Sequence, residues 1–407
     1  MREREGKEDG ARRGERFGVA GKARPAGPLV WVHAASVGET VAAVPLIDRL
    51  TGLGSTVLLT TGTVTAAEVA RRRLPSGAIH QFVPIDTPTS VARFLDYWRP
   101  GLALFAESEL WPTMLRSIRR RALPLAVVNA RMSERSFRSW SAVAPLARAV
   151  VGRAELFLAQ TLADADRLKA LGARRVVVCG NLKFDAPPPP ADEAAVAALR
   201  QAIGDRPVLV AASTHRGEEA AVIAAHALIA FEGARLLTIL APRHPERGDQ
   251  VAAEIAAAGL SYSRRSQGEP IDASTEVYLA DTIGEMGLWY RLADFAFLGG
   301  SMVPHGGQNP IEPAKLQVPI LHGGHVGNFR DVYDALVAAR AVVPVEDAAS
   351  LAAAVTRLIA APEERDRLTR EARACVERFG GALERTLGAL EPYLAKLGLP
   401  DEASPRA

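Results

Sequence analysis

A chain of 407 residues exceeds what one hydrophobic core usually supports, so two domains are expected. With 48% apolar and 23% charged residues it reads as a folded protein, and a net charge of +3 gives no reason to expect a nucleic-acid partner. Its two cysteines, Cys179 and Cys375, lie far apart, which excludes a disulfide framework and a zinc spacing and suits a reducing cytoplasm.

Residues 1–28 carry Arg2, Arg4, Lys7, Arg12, Arg13, Arg16, Lys22 and Arg24 among acids and glycines, the reverse of a signal peptide. A mobile or membrane-facing tail is expected there. No run of about 18 consecutive apolar residues follows anywhere, so no ordinary membrane-spanning helix is expected.

From Leu29 onward, the runs LVWVH, TVLLTTG, HQFVP, LALFAE, LAVVNAR, LFLAQ and VVVCG alternate with stretches of helical period. Such alternation predicts a parallel sheet covered on both faces. Pro187 to Pro190 interrupt it, because proline offers no amide and favours an extended spacer. The pattern resumes with PVLVAAS, RLLTILAP, EVYLAD, FAFLGG, PILHG and AVVPV, then turns alanine-rich and helical after about residue 347. The expected division is a tail over 1–28, a first Rossmann-like domain over 29–186, a Pro-rich linker over 187–194, a second such domain over 195–396 and a tail over 397–407. In open α/β sheets ligands lie at the carboxyl ends of strands, so the loops there are where chemistry is sought.

The first strand leads through Ala34-Ala35-Ser36-Val37-Gly38 to Glu39 at a predicted helix start. A lone carboxylate there serves the helix dipole, but small neighbours admit a substrate and make it a candidate general base. His33 reads as a satisfied core histidine. The fourth strand delivers Glu107-Ser108-Glu109-Leu110-Trp111-Pro112; Ser108 and Glu109 suit helix caps, whereas Glu107, on the last strand position, points into the expected cleft. Arg119 to Arg121, Arg131, Arg135 and Arg138 form either a solvated face or a contact for phosphates and an anionic membrane surface. Lys183 sits beside the linker, where a lysine balances a departing anion. In the second half, the loops holding His215, Pro242 and Arg243 have the polar character of anion sites. The Ile283-Gly284-Glu285 loop has free amides before a helix, and Glu312, after Asn309, Pro310 and Ile311, is suited to accept from ribose hydroxyls.

Together HAASVGET, AESELWP, NARMS, GNLKFD, STHRGEE, APRHPER, DTIGEMG, FLGGSMVPHGGQNPIEP and GNFRD resemble, in order and spacing, the bacterial Kdo (3-deoxy-D-manno-octulosonic acid) transferases, from about Gly14 to about Leu394. The resemblance implies a GT-B glycosyltransferase with two doubly wound Rossmann-like domains facing a central cleft. It implies an acceptor domain first and a CMP-Kdo domain second, and transfer of Kdo to a lipid A precursor (lipid IVA) with inversion, without a metal or cofactor. By the same resemblance Glu39 is the catalytic base and Glu107 and Lys183 stabilise the transition state. Pro242, Arg243, Ile283, Gly284, Glu285, Asn309, Pro310, Ile311 and Glu312 contact CMP. The implied place is the cytoplasmic face of the inner membrane. Family members usually begin with an apolar anchor helix, and here that region is short and charged: either the chain starts late or it binds the bilayer peripherally through basic residues. Two competing readings are another GT-B enzyme using UDP-sugars, separable by comparing CMP with UDP binding, and a non-catalytic membrane-surface module, expected to lose Glu39 or the Arg243 loop.

Overall fold

Leu29–His33 (β1) is buried at every position, as its unbroken apolar run requires of a parallel strand covered on both faces. In the computed structural model, which describes residues 8–400, its side chains divide by parity. Leu29 and Trp31 join a core with Phe94 and Trp98, while Val30 and Val32 join another with Leu46, Ile47 and Leu390. β1 is central in a parallel sheet with β2 (Thr56–Thr61), β3 (Ala78–Phe82), β4 (Leu102–Ala106), β5 (Leu125–Ala130), β6 (Leu156–Ala159) and β7 (Val176–Val178), ordered β3-β2-β1-β4-β5-β6-β7. The chain winds one way from β1 and the other way from β4, so the switch point lies between these two strands.

The second unit holds a parallel sheet ordered β10-β11-β9-β8-β12-β13-β14. Its strands are β8 (Val208–Thr214), β9 (Leu237–Pro242), β10 (Tyr262–Arg264), β11 (Val277–Leu279), β12 (Phe295–Leu298), β13 (Ile320–His322) and β14 (Val342–Pro344). Its switch point lies between β8 and β12. Leu209, Ala211, Phe295 and Phe297 pack there beneath the helices Glu218–Phe231 and Ala348–Ala360. The strand β10 was absent from the sequence reading, because it is three residues long and carries no apolar run.

The observed division differs from the expected one. The first unit runs to Pro187 and takes up the chain again from Phe379; the second is Pro188–Arg378. The helix Ala382–Lys396, expected to close the second domain, places Leu387, Leu390, Tyr393 and Leu394 in one of the two cores of the first sheet. Asp185 pins its start, accepting from the amides of Gly381 (2.7 Å) and Leu383 (2.6 Å). Phe184 stacks on Phe379 at 4.8 Å. Residues 397–400, assigned to a tail, contribute the buried Leu399. The linker is also shorter than 187–194, since the helix Glu193–Ile203 already starts there under an Asp192 cap.

The expected mobile tail is likewise corrected for residues 8–28; Arg2, Arg4 and Lys7 lie outside the described residues. Buried Glu15 accepts from the Phe82 amide at 2.7 Å. Arg16 donates to the carbonyl of Gly62 (2.7 Å) and Arg24 to that of Trp98 (2.7 Å). The guanidinium groups of Arg12 and Arg16 each lie 4.7 Å from the Phe82 ring centre. Burial, reinforced by Arg12, Lys22 and Arg16, pushes His80 beneath them down to about 3. Among the described residues no helix is long and apolar enough to cross a membrane.

Candidate functional site

In the first unit three segments bring candidate side chains to the carboxyl edge of the sheet. After β1, Ser36 caps the helix Val37–Gly52, its Oγ accepting from the Glu39 amide at 3.3 Å. The Glu39 carboxylate folds back, accepting from the Ser36 hydroxyl (2.7 Å) and the Ala35 amide (2.8 Å). Burial nevertheless raises its pKa above the ordinary 4.5, against these hydrogen bonds and with the help of the charges of Glu107 and Glu109.

After β4, Glu107 takes a left-handed φ of 55°. Its Oε1 lies 3.2 Å from Nζ of Lys183, in the short 3-10 turn Leu182–Phe184. That turn is held by Asn129 at the end of β5: its Oδ1 accepts from the Leu182 amide at 3.0 Å, and its own φ is 51°. Left-handed backbone on a non-glycine residue thus recurs at two neighbouring strand ends. Glu109, expected to be a cap, instead accepts from the Trp111 indole at 2.6 Å. Its neighbours His33 and Trp111 hold its carboxyl below the ordinary range against the effect of burial. Glu39, Glu107 and Glu109 therefore interact electrostatically, and Glu107 pairs with Lys183, all flanking or adjoining the β1 and β4 switch point.

The second unit is organised by a residue the sequence reading passed over. Glu218, fully buried, accepts from four amides: His215 (2.9 Å), Gly300 (2.6 Å), Ser301 (2.9 Å) and Met302 (2.9 Å). It ties the loop after β8 to the loop after β12 across the switch point. Gly299 is required there, since a Cβ on it would sit 2.4 Å from the Ser213 carbonyl. The next acid, Glu219, is equally buried and pairs with Arg247 at 2.8 Å. The only sequence signal for either was the doubled acid of HRGEE.

Around this scaffold, His215 stacks on His305 at 4.2 Å and meets His244 edge-on at 5.9 Å. Burial, His305, His244 and Arg243 keep His215 below its ordinary value despite Glu218. Pro242 ends β9, and the exposed guanidinium of Arg243 makes no ion pair among the described residues. Ile283 is 76% exposed beside Gly284, whose φ of 90° favours glycine. Glu285 is not free: burial opposes its charge, but Arg265 at 2.6 Å and the Thr282 hydroxyl hold it below the ordinary range. Asn309 donates through Nδ2 to Glu312 at 3.3 Å and accepts from the Ile311 amide at 3.0 Å, so these residues and Pro310 form one turn before the helix Ile311–Lys315.

A family model described as 3-deoxy-D-manno-octulosonic-acid transferase (kdotransferase) matches residues 11–186. The chain is 41% identical over 392 residues to a 3-deoxy-D-manno-octulosonic acid transferase of Bordetella pertussis, covering 93% of this chain and 91% of that one. The chain belongs to this transferase family. Its counterpart of Haemophilus influenzae is 34% identical over 389 residues, covering 94% and 91% of the two chains. Among solved structures, a glycosyltransferase from Rickettsia africae matches with a TM-score of 0.60 at 12% identity, over 93% of this chain and all (100%) of that one. The UDP-GlcNAc 2-epimerase of Neisseria meningitidis matches with 0.61 at 15% identity, over 89% and 100%. At such identities the likeness concerns the fold alone, which is GT-B. The protein is a glycosyltransferase of the Kdo transferase family, not a non-catalytic surface module.

Proposed function

We propose that this Kdo transferase moves Kdo from CMP-Kdo to a lipid A precursor, lipid IVA, with inversion and without a metal. The observation that carries the reading is the Glu39 carboxylate, oriented by Ser36 and Ala35 and raised by burial. A carboxylate whose pKa is raised accepts a proton more readily than an ordinary one. As an acceptor hydroxyl oxygen bonds to the anomeric carbon of Kdo, its proton passes to Glu39, the bond from that carbon to the phosphate oxygen breaks, and the electron pair leaves with CMP. One displacement inverts the carbon and needs no covalent intermediate. Lys183, held by Glu107, supplies positive charge for the transition state. For CMP we assign Pro242 and Arg243, the Ile283-Gly284-Glu285 loop and the turn of Asn309, Pro310, Ile311 and Glu312.

Mass analysis after incubation with lipid IVA tests the reading. Product is expected from CMP-Kdo, not from UDP-sugars, and with undiminished rate in a chelator, because a guanidinium such as that of Arg243 can meet the charge of a monophosphate leaving group. Turnover of a UDP-sugar in place of CMP-Kdo removes the donor assignment, and loss of activity in chelator restored by a divalent ion removes metal independence.

We further propose peripheral attachment to the anionic cytoplasmic face of the inner membrane. The helix Pro112–Arg120 buries Met114, Leu115 and Ile118 and turns Arg116, Arg119 and Arg120 outward. Arg121, grouped with them in the sequence, is instead engaged by Asp96 at 2.7 Å. Each basic contact near such a surface is worth about 1 kcal/mol and is screened within roughly a Debye length. Replacing Arg116, Arg119 and Arg120 with Ser is expected to weaken binding to anionic vesicles, which itself falls steeply with salt. Salt-insensitive binding, equal on neutral vesicles, transfers the role to exposed apolar side chains such as Val143 and Leu146.

A further inference from the structure

Along the carboxyl edge of β1, β2 and β3, the docked N-terminal segment closes one side of a groove of about 640 Å³. His33 and Ala35 line it, with Arg13, Phe17, Ile85 and Trp111 around them. The Ala35 amide is the one that holds Glu39, so the groove adjoins the candidate base. His33 is fully buried, and its Nδ1 lies 3.1 and 3.0 Å from the carbonyl and hydroxyl oxygens of Thr60. Its Nε2, in contrast, has no hydrogen-bond partner among the described residues, and Oε2 of Glu109 stands 3.8 Å away, beyond hydrogen-bonding distance. Buried polar atoms are seldom left so, and this one belongs to a residue that lines the groove, which points to a ligand there.

A hydroxyl group meets this geometry when Nδ1 accepts from the Thr60 hydroxyl and Nε2 carries the proton: it then accepts from Nε2 and donates to the Glu109 carboxylate. The groove's acids are already engaged. Asp86 accepts from the amides of Thr113 and Met114 (3.1 and 2.7 Å), Asp9 accepts from the Ala11 amide (3.1 Å), and Glu8 faces Arg16 at 3.4 Å. Trp111, Ile85 and Phe17 expose apolar surface along it, beside the exposed Arg13. Aromatic faces beside a hydroxyl site suit the C–H face of a pyranose. Resting on the function assigned above, we propose that this groove holds the acceptor's sugar, one hydroxyl between His33 and Glu109 and its apolar face on Trp111 and Ile85.

Trp111→Ala and Ile85→Glu, both at the surface, are each expected to raise KM for lipid IVA at least about tenfold while KM for CMP-Kdo stays within about twofold. His33→Phe, which keeps the ring volume, is expected to do the same. Lipid IVA alone is expected to change the tryptophan emission of the wild type and not that of Trp111→Phe. An unchanged acceptor KM in both surface variants, or a donor KM rising as far as the acceptor KM, overturns the groove. If the wild type makes no product from CMP-Kdo and lipid IVA, the assigned function fails instead, and the emission titration still decides whether the groove binds this glycolipid.

Discussion

Glu39→Gln is expected to lower kcat by at least about a hundredfold while leaving the fold and CMP affinity intact. The substitution separates two roles that coincide in this side chain. Ser36 and Glu39 also make a helix cap, and Gln preserves it: its carbonyl oxygen accepts from the Ala35 amide and its amide donates to the Ser36 hydroxyl. Only the ability to take a proton is lost. The pH dependence carries the same signature. Because burial raises the wild-type pKa above 4.5, the acid limb of kcat/KM is expected above the ordinary carboxylate value, activity falling as pH falls through it. The stability effect has the opposite sign. Between the unfolded and the raised folded pKa the folded state binds more protons, so stability declines as pH rises through that window. At neutral pH Glu39→Gln should therefore melt no lower than the wild type. Near-normal turnover in this variant would reduce Glu39 to a helix cap.

The second large effect is structural, and it falls on Glu218. Replacing it with Leu leaves the amides of His215, Gly300, Ser301 and Met302 without their common acceptor. An unpaired buried donor costs about 1–3 kcal/mol, so a loss of at least about 4 kcal/mol is expected even after some amides reach water. Glu218→Gln, which keeps one acceptor oxygen, should lie between Leu and the wild type. Urea titration measures the loss, and CMP affinity should fall with it, because the strand-end loops that Glu218 joins lie beside the Arg243 turn. A wild-type midpoint for Glu218→Leu would mean that the loops are held by other contacts.

Much of the architecture was determined locally. Strands buried on both faces must be almost wholly apolar, so all but one could be read as runs, and the doubly wound class followed from their alternation with helical stretches. The exception, β10, is an edge strand with an exposed Tyr262; a short, half-solvated strand needs no apolar run. The position of Glu39 and Glu107 at the carboxyl edge was legible because a strand end followed by a helix start marks that edge without reference to the rest of the fold.

Three properties were decided only by tertiary structure. The apolar face of Ala382–Lys396 shows that the helix must cover something, yet an amphipathic stripe does not say which sheet; Asp185 and the uncovered core of the first unit made that choice. Residues 8–24 read as a tail because charge normally means solvent, and nothing local reveals that their arginines meet carbonyls of residues far along the chain. The proton affinity of Glu39 depends on burial and on Glu107 and Glu109, about seventy residues away, and both are properties of packing. Composition and periodicity therefore determined which segments are strands and where their carboxyl ends lie, since these depend on near neighbours in sequence. Which surfaces cover one another, and which charges meet, depends on contacts between distant segments, and only the folded chain sets those.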